Sequence, residues 1–350
     1  MQKNNVTLFI DTFHPGGAER VCVNYANELV NLGQSVNIIA FNDSESFYLD
    51  ELDEKVAIQY LNVNSGLLAL RYLLLDRSIL ENTSNIIAFN HQISILLVIL
   101  KKLLLLDFKL ISRNVNNLKM DLKKKHKSHI KSIMTRVLFF AFYKRMDMYI
   151  AQCEAMKRAM VEDYKIKEGK IIVVNNPVSK VFRNTNEKKD IDILFIGRLM
   201  EQKGIDNLVN VLKILSIKRP RTSVTIVGKG ELAGFLESNL EKTNLDYKIL
   251  PSTNNTCELY NRAKVTILTS YYEGYPNVLA ESLSCNTPVV AFDCESGPSE
   301  IITDGINGYL IDCFDVESFT RKSIEILDFS VLNNVNHNKY LGLNSFIENL

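Results

Sequence analysis

Short apolar runs alternate with longer amphipathic stretches along almost the whole chain. The runs are rich in Val, Ile and Phe and are often continuous, which is typical of strands buried on both faces of a parallel sheet. We predict strands at residues 6–11, 36–41, 56–61, 85–90, 108–112, 148–152, 171–176, 193–197, 223–228, 247–250, 265–270, 288–292 and 308–312.

The stretches between these runs have the apolar spacing of helices. Residues 18–32 and 206–219 are the clearest examples, and the second carries an i, i+3, i+4, i+7 stripe of Leu208, Val211, Leu212 and Leu215. Repeated strand–helix–strand units predict an α/β fold built from open parallel sheets with helices on both faces.

One polar segment divides this pattern into two halves. Residues 182–190, FRNTNEKKD, lack apolar periodicity, and a strand restarts after them. We predict a Rossmann-like domain at 1–181, a second at 182–330, and a tail at 331–350 that packs back on the first domain. Ligands of such folds bind beyond the carboxyl ends of the strands, so a cleft between two facing domains is the expected site.

Composition agrees with a globular protein of two domains. The chain has 350 residues, of which 46% are hydrophobic and 23% charged, and a formal net charge of +1. This balance excludes a globally basic nucleic-acid-binding protein. It conceals one basic segment, residues 119–145, with nine Lys or Arg residues and a single acid.

The cysteines and the chain start indicate the cytoplasm. Six scattered cysteines, without a CxxC pair or a nearby histidine, predict reduced thiols rather than disulfides or a zinc site. The N-terminus passes directly into a strand, so we expect no signal peptide. The most apolar stretch, residues 93–111, is interrupted by Lys101, Lys102 and Asp107 and is not expected to span a membrane.

Two strand-to-helix turns have the composition of phosphate sites. Gly16 and Gly17 lie between the first strand and its helix, where glycines let backbone N–H groups approach a ligand. After the strand that opens the second half come Gly197, Arg198 and Lys203, and two cations at a helix start suit a diphosphate. The alternatives are a turn that only requires positive φ and a solvated loop with ordinary surface bases.

Other polar patterns are weaker signals. The glycines of TIVGKGELAG (225–234) resemble a dinucleotide-binding turn, but the third glycine, Gly234, comes one residue late, and no acid follows the next strand. Asp190 and Asp192 precede a strand, at the wrong end for a metal site. His14 and His91 follow strand ends, although isolated histidines are more often structural.

Two carboxylates in EGYPNVLAES (273–282) stand eight positions apart. Pro276 and Asn277 can begin a helix, since proline is tolerated in a first turn. We therefore expect Glu273 in a loop and Glu281 about one turn inside the helix.

Together these segments resemble a known family. GGAER, GRLMEQKG, VGKGEL and EGYPNVLAESLSCNTPVVAFDCESGPSEIITDGINGYLI are similar, in this order, to retaining glycosyltransferases of family 4, which have the GT-B fold. The resemblance is strong over 190–315 and weaker over 45–180, where family members bind the acceptor.

The resemblance implies a role for each matching residue. Arg198 and Lys203 are expected to clamp the donor diphosphate, so that neither a metal nor another cofactor is needed. Glu273 is expected to contact the transferred sugar and Glu281 the ribose of the nucleotide. The remaining donor-binding candidates are backbone groups: Gly16, Gly17, Gly274, Asn277, Val278 and Leu279.

The acceptor side departs from the family pattern. Many members carry a histidine, or an acid beside Arg or His, after the strand at 108–112, whereas this chain has Ser112, Arg113 and Asn114. Arg113, Asn114 and His91 are acceptor-side candidates, and the general base stays unassigned.

The basic segment is the other acceptor-side candidate. Lys123 and Lys127 lie in it, either on a solvated helix face or as a docking surface for anionic lipid or a lipid-linked acceptor. No nucleic-acid partner is expected, since aromatic residues are absent among the bases until Phe139.

The resulting hypothesis is a retaining, metal-independent glycosyltransferase with a UDP-hexose or UDP-N-acetylhexosamine donor and a saccharide or lipid-linked saccharide acceptor. We expect it in surface polysaccharide biosynthesis, at the cytoplasmic face of the membrane. The alternatives are an NAD-dependent oxidoreductase or epimerase of Rossmann type, and a non-catalytic protein of GT-B architecture.

Overall fold

A computed structural model describes residues 5–14, 16–43, 47–114, 137–253, 255–329 and 346–347. The chain forms two compact units: a first unit of Met1–Pro177 with Tyr340–Leu350, and a second unit of Val178–Lys339. The sequence boundary at 181/182 lies four residues later than the observed one. Val178 and Phe182 pack with Tyr260 and Leu194 of the second unit, which draws Val178 and the residues up to the predicted boundary into that unit.

The first unit is a parallel sheet in the order β3-β2-β1-β4-β5-β6-β7. Its strands are β1 Asn5–Ile10, β2 Ser35–Ala40, β3 Ala57–Tyr60, β4 Asn85–Ala88, β5 Lys109–Arg113, β6 Met148–Ala151 and β7 Ile171–Val173. Its helices are α1 Gly17–Asn31, α2 Gly66–Leu75, α3 Ser78–Glu81, α4 His91–Leu103 and α5 Glu154–Glu162, and residues 137–142 are also helical. Short 3-10 turns lie at Leu49–Glu51, Tyr143–Arg145 and Glu168–Lys170.

The second unit repeats this plan with the order β10-β9-β8-β11-β12-β13. Its strands are β8 Ile191–Ile196, β9 Ser223–Val227, β10 Asp246–Leu250, β11 Ala263–Leu268, β12 Val289–Phe292 and β13 Gly308–Ile311. Its helices are α6 Ile205–Lys218, α7 Ala233–Leu240, α8 Thr256–Arg262, α9 Asn277–Ser284, α10 Pro298–Ile301 and α11 Val316–Phe329, with a 3-10 turn at Glu201–Lys203.

All thirteen predicted strands are present, and the two sheets confirm the predicted fold class. The largest difference in length is at β7, which ends at Val173 instead of residue 176. The side chains of Asn175 and Asn176 hydrogen-bond to Gln152, so these residues leave the strand ladder. The apolar stretch 93–111 is divided between α4 and β5. Within the described ranges, every helix is too short or too polar to cross a bilayer.

Each sheet reverses its strand order at one place. The chain winds outward in opposite directions from β1 and β4 in the first unit, and from β8 and β11 in the second. At such a switch point the connections diverge, and the carboxyl ends of the two strands leave a crevice where ligands bind in doubly wound folds. Ligand-binding residues are therefore expected directly after β1, β4, β8 and β11.

The Asp-x-Asp pair at the start of β8 has a structural role. Asp192 forms ion pairs with Lys264 at 2.7 Å and Arg219 at 3.2 Å, and Asp190 pairs with Arg262 at 2.8 Å. Burial alone would raise the pKa of Asp192, but its hydrogen bonds and cationic neighbours hold it below the usual value. These contacts join the amino-terminal ends of neighbouring strands, opposite to the edge where ligands are expected.

Candidate active site

The switch point of the second sheet gathers charged side chains from two loops and one helix. Arg198 and Lys203 follow β8, and Glu273 follows β11, the neighbouring parallel strand. Glu281 lies in α9, the helix that begins four residues after Glu273. The structure thus brings together Lys203 and Glu273, which are 70 positions apart in the sequence.

The loop that carries Arg198 is held by backbone contacts. Leu199 N donates to Lys229 O at 2.8 Å, and Leu232 N donates to Leu199 O at 2.9 Å. A Cβ at Gly228 would lie 1.9 Å from Gly197 O, and one at Gly230 would lie 2.1 Å from Leu199 O. These two glycines are therefore required by the close approach of two loops. This contact accounts for the GxG pattern that resembled a dinucleotide-binding turn.

Arg198 itself points its charge to solvent. It is exposed, and its side chain has no hydrogen bond or ion pair among the described residues. The backbone of the loop is fixed and the guanidinium is free, so Arg198 can bind an anion bidentately.

Lys203 and Glu273 form an ion pair. Lys203 Nζ lies 2.6 Å from Glu273 Oε1, and the two side chains are only 14% and 6% exposed. Ser270 Oγ donates to the same oxygen at 2.6 Å. The other oxygen, Oε2, has no hydrogen-bond donor in the part of the chain that the structure describes, so it is available to a ligand.

Backbone contacts fix the Lys203 side of this pair as well. Gly204 has a φ of +60°, and a Cβ there would lie 2.0 Å from Thr269 O. Thr269 Oγ1 donates to Lys203 O at 3.0 Å. The loops after β8 and β11 therefore touch directly, and only glycine permits that distance.

Glu281 is buried inside α9, as expected from the proline-initiated helix. The helix spans Asn277–Ser284 with Pro276 at its N-cap, and Glu281 is 6% exposed. Tyr260 of α8 donates its hydroxyl to Glu281 Oε2 at 2.9 Å. The loop before α9 approaches Gly297, whose φ is +93° and whose added Cβ would lie 2.7 Å from Gly274 O.

The backbone candidates lie at the amino-terminal ends of helices. Gly274 is buried, whereas Asn277 and Val278 in the first turn of α9 are partly accessible and Leu279 is buried. In the first unit, α1 begins at Gly17 with Gly16 as its N-cap. N–H groups in a first helical turn point toward the space before the helix, although Leu279 N already donates to Pro276 O at 3.0 Å.

Arg113 is a buried cation rather than a surface group. It is 1% exposed at the carboxyl end of β5, and its Nη2 donates to Asn176 Oδ1 at 2.6 Å. The guanidinium lies 4.9 Å from the Phe89 ring centre and 5.4 Å from that of Tyr25. Burial lowers the pKa of Arg113, and the nearby Tyr25 hydroxyl opposes this change. The positive charge of Arg113 therefore lies inside the first unit rather than on its surface.

Asn114 and His91 are also engaged within the first unit. Asn114 is 2% exposed and accepts a hydrogen bond from Tyr143 at 2.7 Å. His91, the first residue of α4, contacts the edge of Phe139 with ring centres 6.1 Å apart. Lys123 and Lys127 lie outside the described residues.

Sequence reasoning missed the partners of the predicted residues. Ser270 and Tyr260 bind the two carboxylates, and Gly228 and Gly230 support the Arg198 loop. Ser270, two residues after β11 and three positions before Glu273, was a usable signal. Tyr260 gave none, because a tyrosine in a buried helix is usually part of the core.

Two family models match the chain. The model described as Glycosyltransferase Family 4 covers residues 15–180, and that described as Glycosyl transferases group 1 covers residues 179–341. Among similar proteins is an α-1,4-N-acetyl-D-galactosaminyltransferase of Campylobacter jejuni, whose name includes a GalNAc-containing saccharide linked to undecaprenol. It is 27% identical, and the match covers 97% of this chain and 92% of the relative. The amylovoran biosynthesis glycosyltransferase AmsD of Erwinia amylovora is 25% identical, covering 89% and 86%.

A solved structure supports the same fold. Anabaena HepE in complex with UDP and glucose superposes with a TM-score of 0.76 at 16% identity, covering 95% of this chain and 93% of its own. With two parallel-sheet units and both halves matched by glycosyltransferase models, the chain belongs to the glycosyltransferases of the GT-B fold.

Proposed function

We propose that this chain transfers a sugar from a nucleoside diphosphate sugar, with UDP-hexose or UDP-N-acetylhexosamine as the donor, and retains the anomeric configuration. The observation that carries the proposal is the switch point of the second sheet. There a free Arg198 stands at the same edge as the Lys203–Glu273 pair and the buried Glu281. One edge thus offers cations for a diphosphate and carboxylates for sugar hydroxyls.

The cations would stabilise the leaving group. When the glycosidic bond to phosphate breaks, negative charge builds up on the nucleoside diphosphate. Lys203 and the loop that carries Arg198 are held in place before the reaction, which limits the reorganisation that this stabilisation requires. This is the task that a divalent cation performs in other transferases, and we propose that the reaction proceeds without one.

The carboxylates would hold the two sugars of the donor. Glu281, oriented by Tyr260, would accept hydrogen bonds from ribose hydroxyls. Glu273 Oε2 would accept one from the transferred sugar, while its Oε1 stays with Lys203 and Ser270. The main chain of residues 274–279 would line the sugar and phosphates.

We propose a saccharide, free or lipid-linked, as the acceptor, in surface polysaccharide biosynthesis. Support comes from the names of similar proteins, which include a transferase to an undecaprenol-linked saccharide and one of amylovoran biosynthesis. The nine bases of residues 119–145 would attract an anionic lipid surface, with Lys123 and Lys127 among them. We propose that the protein works at the cytoplasmic face of a membrane.

Nucleotide binding by site variants tests the proposal. We expect UDP to raise the melting temperature of the wild type more than GDP or NAD does. With EDTA present, the wild-type protein should slowly release sugar from its preferred UDP-sugar. Glu281→Ala and Lys203→Ala should each weaken UDP binding at least about tenfold, since a charged hydrogen bond contributes about 1.5–3 kcal/mol. The exposed Glu241→Ala and Lys248→Ala are matched controls. Unchanged UDP affinity in both site variants would contradict the assignment.

A further inference from the structure

The first sheet has its own switch point, and a carboxylate occupies it. Asp11 follows β1 directly, and Asn90 lies two residues after β4, the parallel neighbour of β1. Strand order reverses between these two strands, so the crevice for a ligand lies where their carboxyl ends meet. Asp11 and Asn90 are not among the residues that the sequence predicts to bind a substrate.

Asp11 is oriented from two sides. Asn90 Nδ2 donates to Asp11 Oδ2 at 2.6 Å. The main-chain oxygen of Asp11 accepts hydrogen bonds from Phe41 N and Asn42 N, both at 3.1 Å, in the segment that follows β2. The carboxylate is thus held between the strands on either side of β1.

Asn90 cannot rotate its amide without losing other bonds. Its Oδ1 accepts from Ile93 N at 2.7 Å as the N-cap of α4, which directs Nδ2 to Asp11. Its main-chain oxygen accepts from Ser94 Oγ at 2.7 Å, and Ser94 Oγ lies 2.7 Å from Ser112 Oγ of β5. A buried chain of hydroxyl groups therefore anchors the residue that orients Asp11.

The other oxygen of Asp11 is open to a ligand. Asp11 is exposed, forms no ion pair among the described residues, and its Oδ1 accepts no hydrogen bond from them. The surrounding protein raises the pKa of Asp11, and the Asn90 amide partly reverses this. A fixed, unpaired carboxylate repels phosphate and accepts hydrogen bonds from neutral hydroxyl groups.

Resting on the proposed function, we propose that Asp11 binds a sugar hydroxyl of the acceptor and that Asn90 is its positioning residue. The cations and carboxylates of the second unit account for the donor, which leaves the hydroxyl-bearing part of the acceptor for Asp11. The negative charge directs a neutral sugar ring, not a lipid diphosphate, to this position.

The test separates acceptor transfer from donor chemistry. Asp11→Asn keeps the shape but turns one acceptor oxygen into a donor. With octyl glycosides of hexoses and N-acetylhexosamines as acceptor probes, we expect kcat/KM for the glycoside to fall at least about tenfold. Hydrolysis of the UDP-sugar and the Kd for UDP should stay within about twofold of wild type. Asp107→Asn, an exposed acid of the same unit, is the control.

A second variant addresses the positioning role. Asn90→Ser retains an N-cap side chain for α4 but loses the bond to Asp11. We expect a smaller rise in the glycoside KM than in Asp11→Asn, with the melting temperature retained. Unchanged transfer in Asp11→Asn, or equal loss of transfer and UDP affinity, would overturn the proposal. A wild-type protein that neither binds UDP nor hydrolyses UDP-sugars would refute the proposed function instead.

Discussion

At the residue scale, the two carboxylates of the second unit differ in how they are held. Glu273 is neutralised by Lys203, whereas Glu281 accepts a hydrogen bond from the neutral Tyr260 hydroxyl at 2.9 Å. Tyr260 is fully buried beside Phe182, so its ring position does not depend on the hydroxyl. Removing the Tyr260 hydroxyl therefore deletes a contact of Glu281 without displacing the ring.

We expect Tyr260→Phe to weaken UDP binding by about two- to tenfold, because one hydrogen bond contributes about 0.5–1.5 kcal/mol. Isothermal titration calorimetry with UDP measures the change. Tyr247→Phe, a half-buried tyrosine of β10 in the same unit, should leave the Kd unaltered. Equal affinities for both variants would show that the Tyr260 hydroxyl does not orient Glu281.

The sequence identified these carboxylates but not the residues that orient them. Glu273 and Glu281 are recognisable because they share one short segment with a helix start. Tyr260 lies 21 positions from Glu281, and Lys203 lies 70 positions from Glu273. Such contacts arise only when neighbouring strands and helices pack, and no local pattern encodes them.

At the element scale, the loops after β8 and β9 depend on glycine. The Gly230 position meets the Leu199 carbonyl, whereas no atom lies within 4 Å of a Cβ added at Gly234, early in α7. The two glycines stand four residues apart in one sequence motif, and yet the packing requires a glycine only at position 230. The motif predicted a turn, and the structure shows which glycine the turn requires.

Alanine substitutions should separate these two glycines. Gly230→Ala is expected to lower the free energy of unfolding by about 1–3 kcal/mol, because backbone must move to admit the Cβ. It should also weaken UDP binding, since the displaced loop carries Arg198. Gly234→Ala should raise the free energy of unfolding by about 0.5–1 kcal/mol, as alanine favours a helix over glycine. Urea unfolding measures both values, and changes of equal sign would refute this account.

At the scale of the whole molecule, the C-terminal segment of the chain belongs to the same unit as the N-terminal strand. Tyr340–Leu350 belong to the first unit, where Phe346 is fully buried against the core formed by α1 and β1. Apolar periodicity predicted both sheets, because each strand buries its own run. The sequence did not show that Val178 joins the second core, since the segment that follows it is polar.

Charge is also unevenly distributed over the whole molecule. A net charge of +1 includes a segment, residues 119–145, with nine bases and one acid. We expect the protein to float with liposomes of phosphatidylglycerol but not of phosphatidylcholine, because each base contributes about 1 kcal/mol near an anionic surface. Replacing Lys123, Lys124, Lys125 and Lys127 by Glu should abolish flotation at low salt. Binding that ignores both lipid charge and this replacement would exclude electrostatic docking.

The Lys203–Glu273 pair affects which of the anions in a cell can bind at this site. An ammonium already 2.6 Å from a carboxylate presents a dipole, rather than a full charge, to a passing ion. Chloride or inorganic phosphate therefore gains little by approaching Lys203, and displacing Glu273 would leave that carboxylate without its counter-ion. A molecule that brings negative charge for the lysine and hydroxyl groups for the glutamate satisfies both at once. Glu273 thus competes with simple anions for Lys203, and the pair disfavours ligands that lack hydroxyl groups for the glutamate.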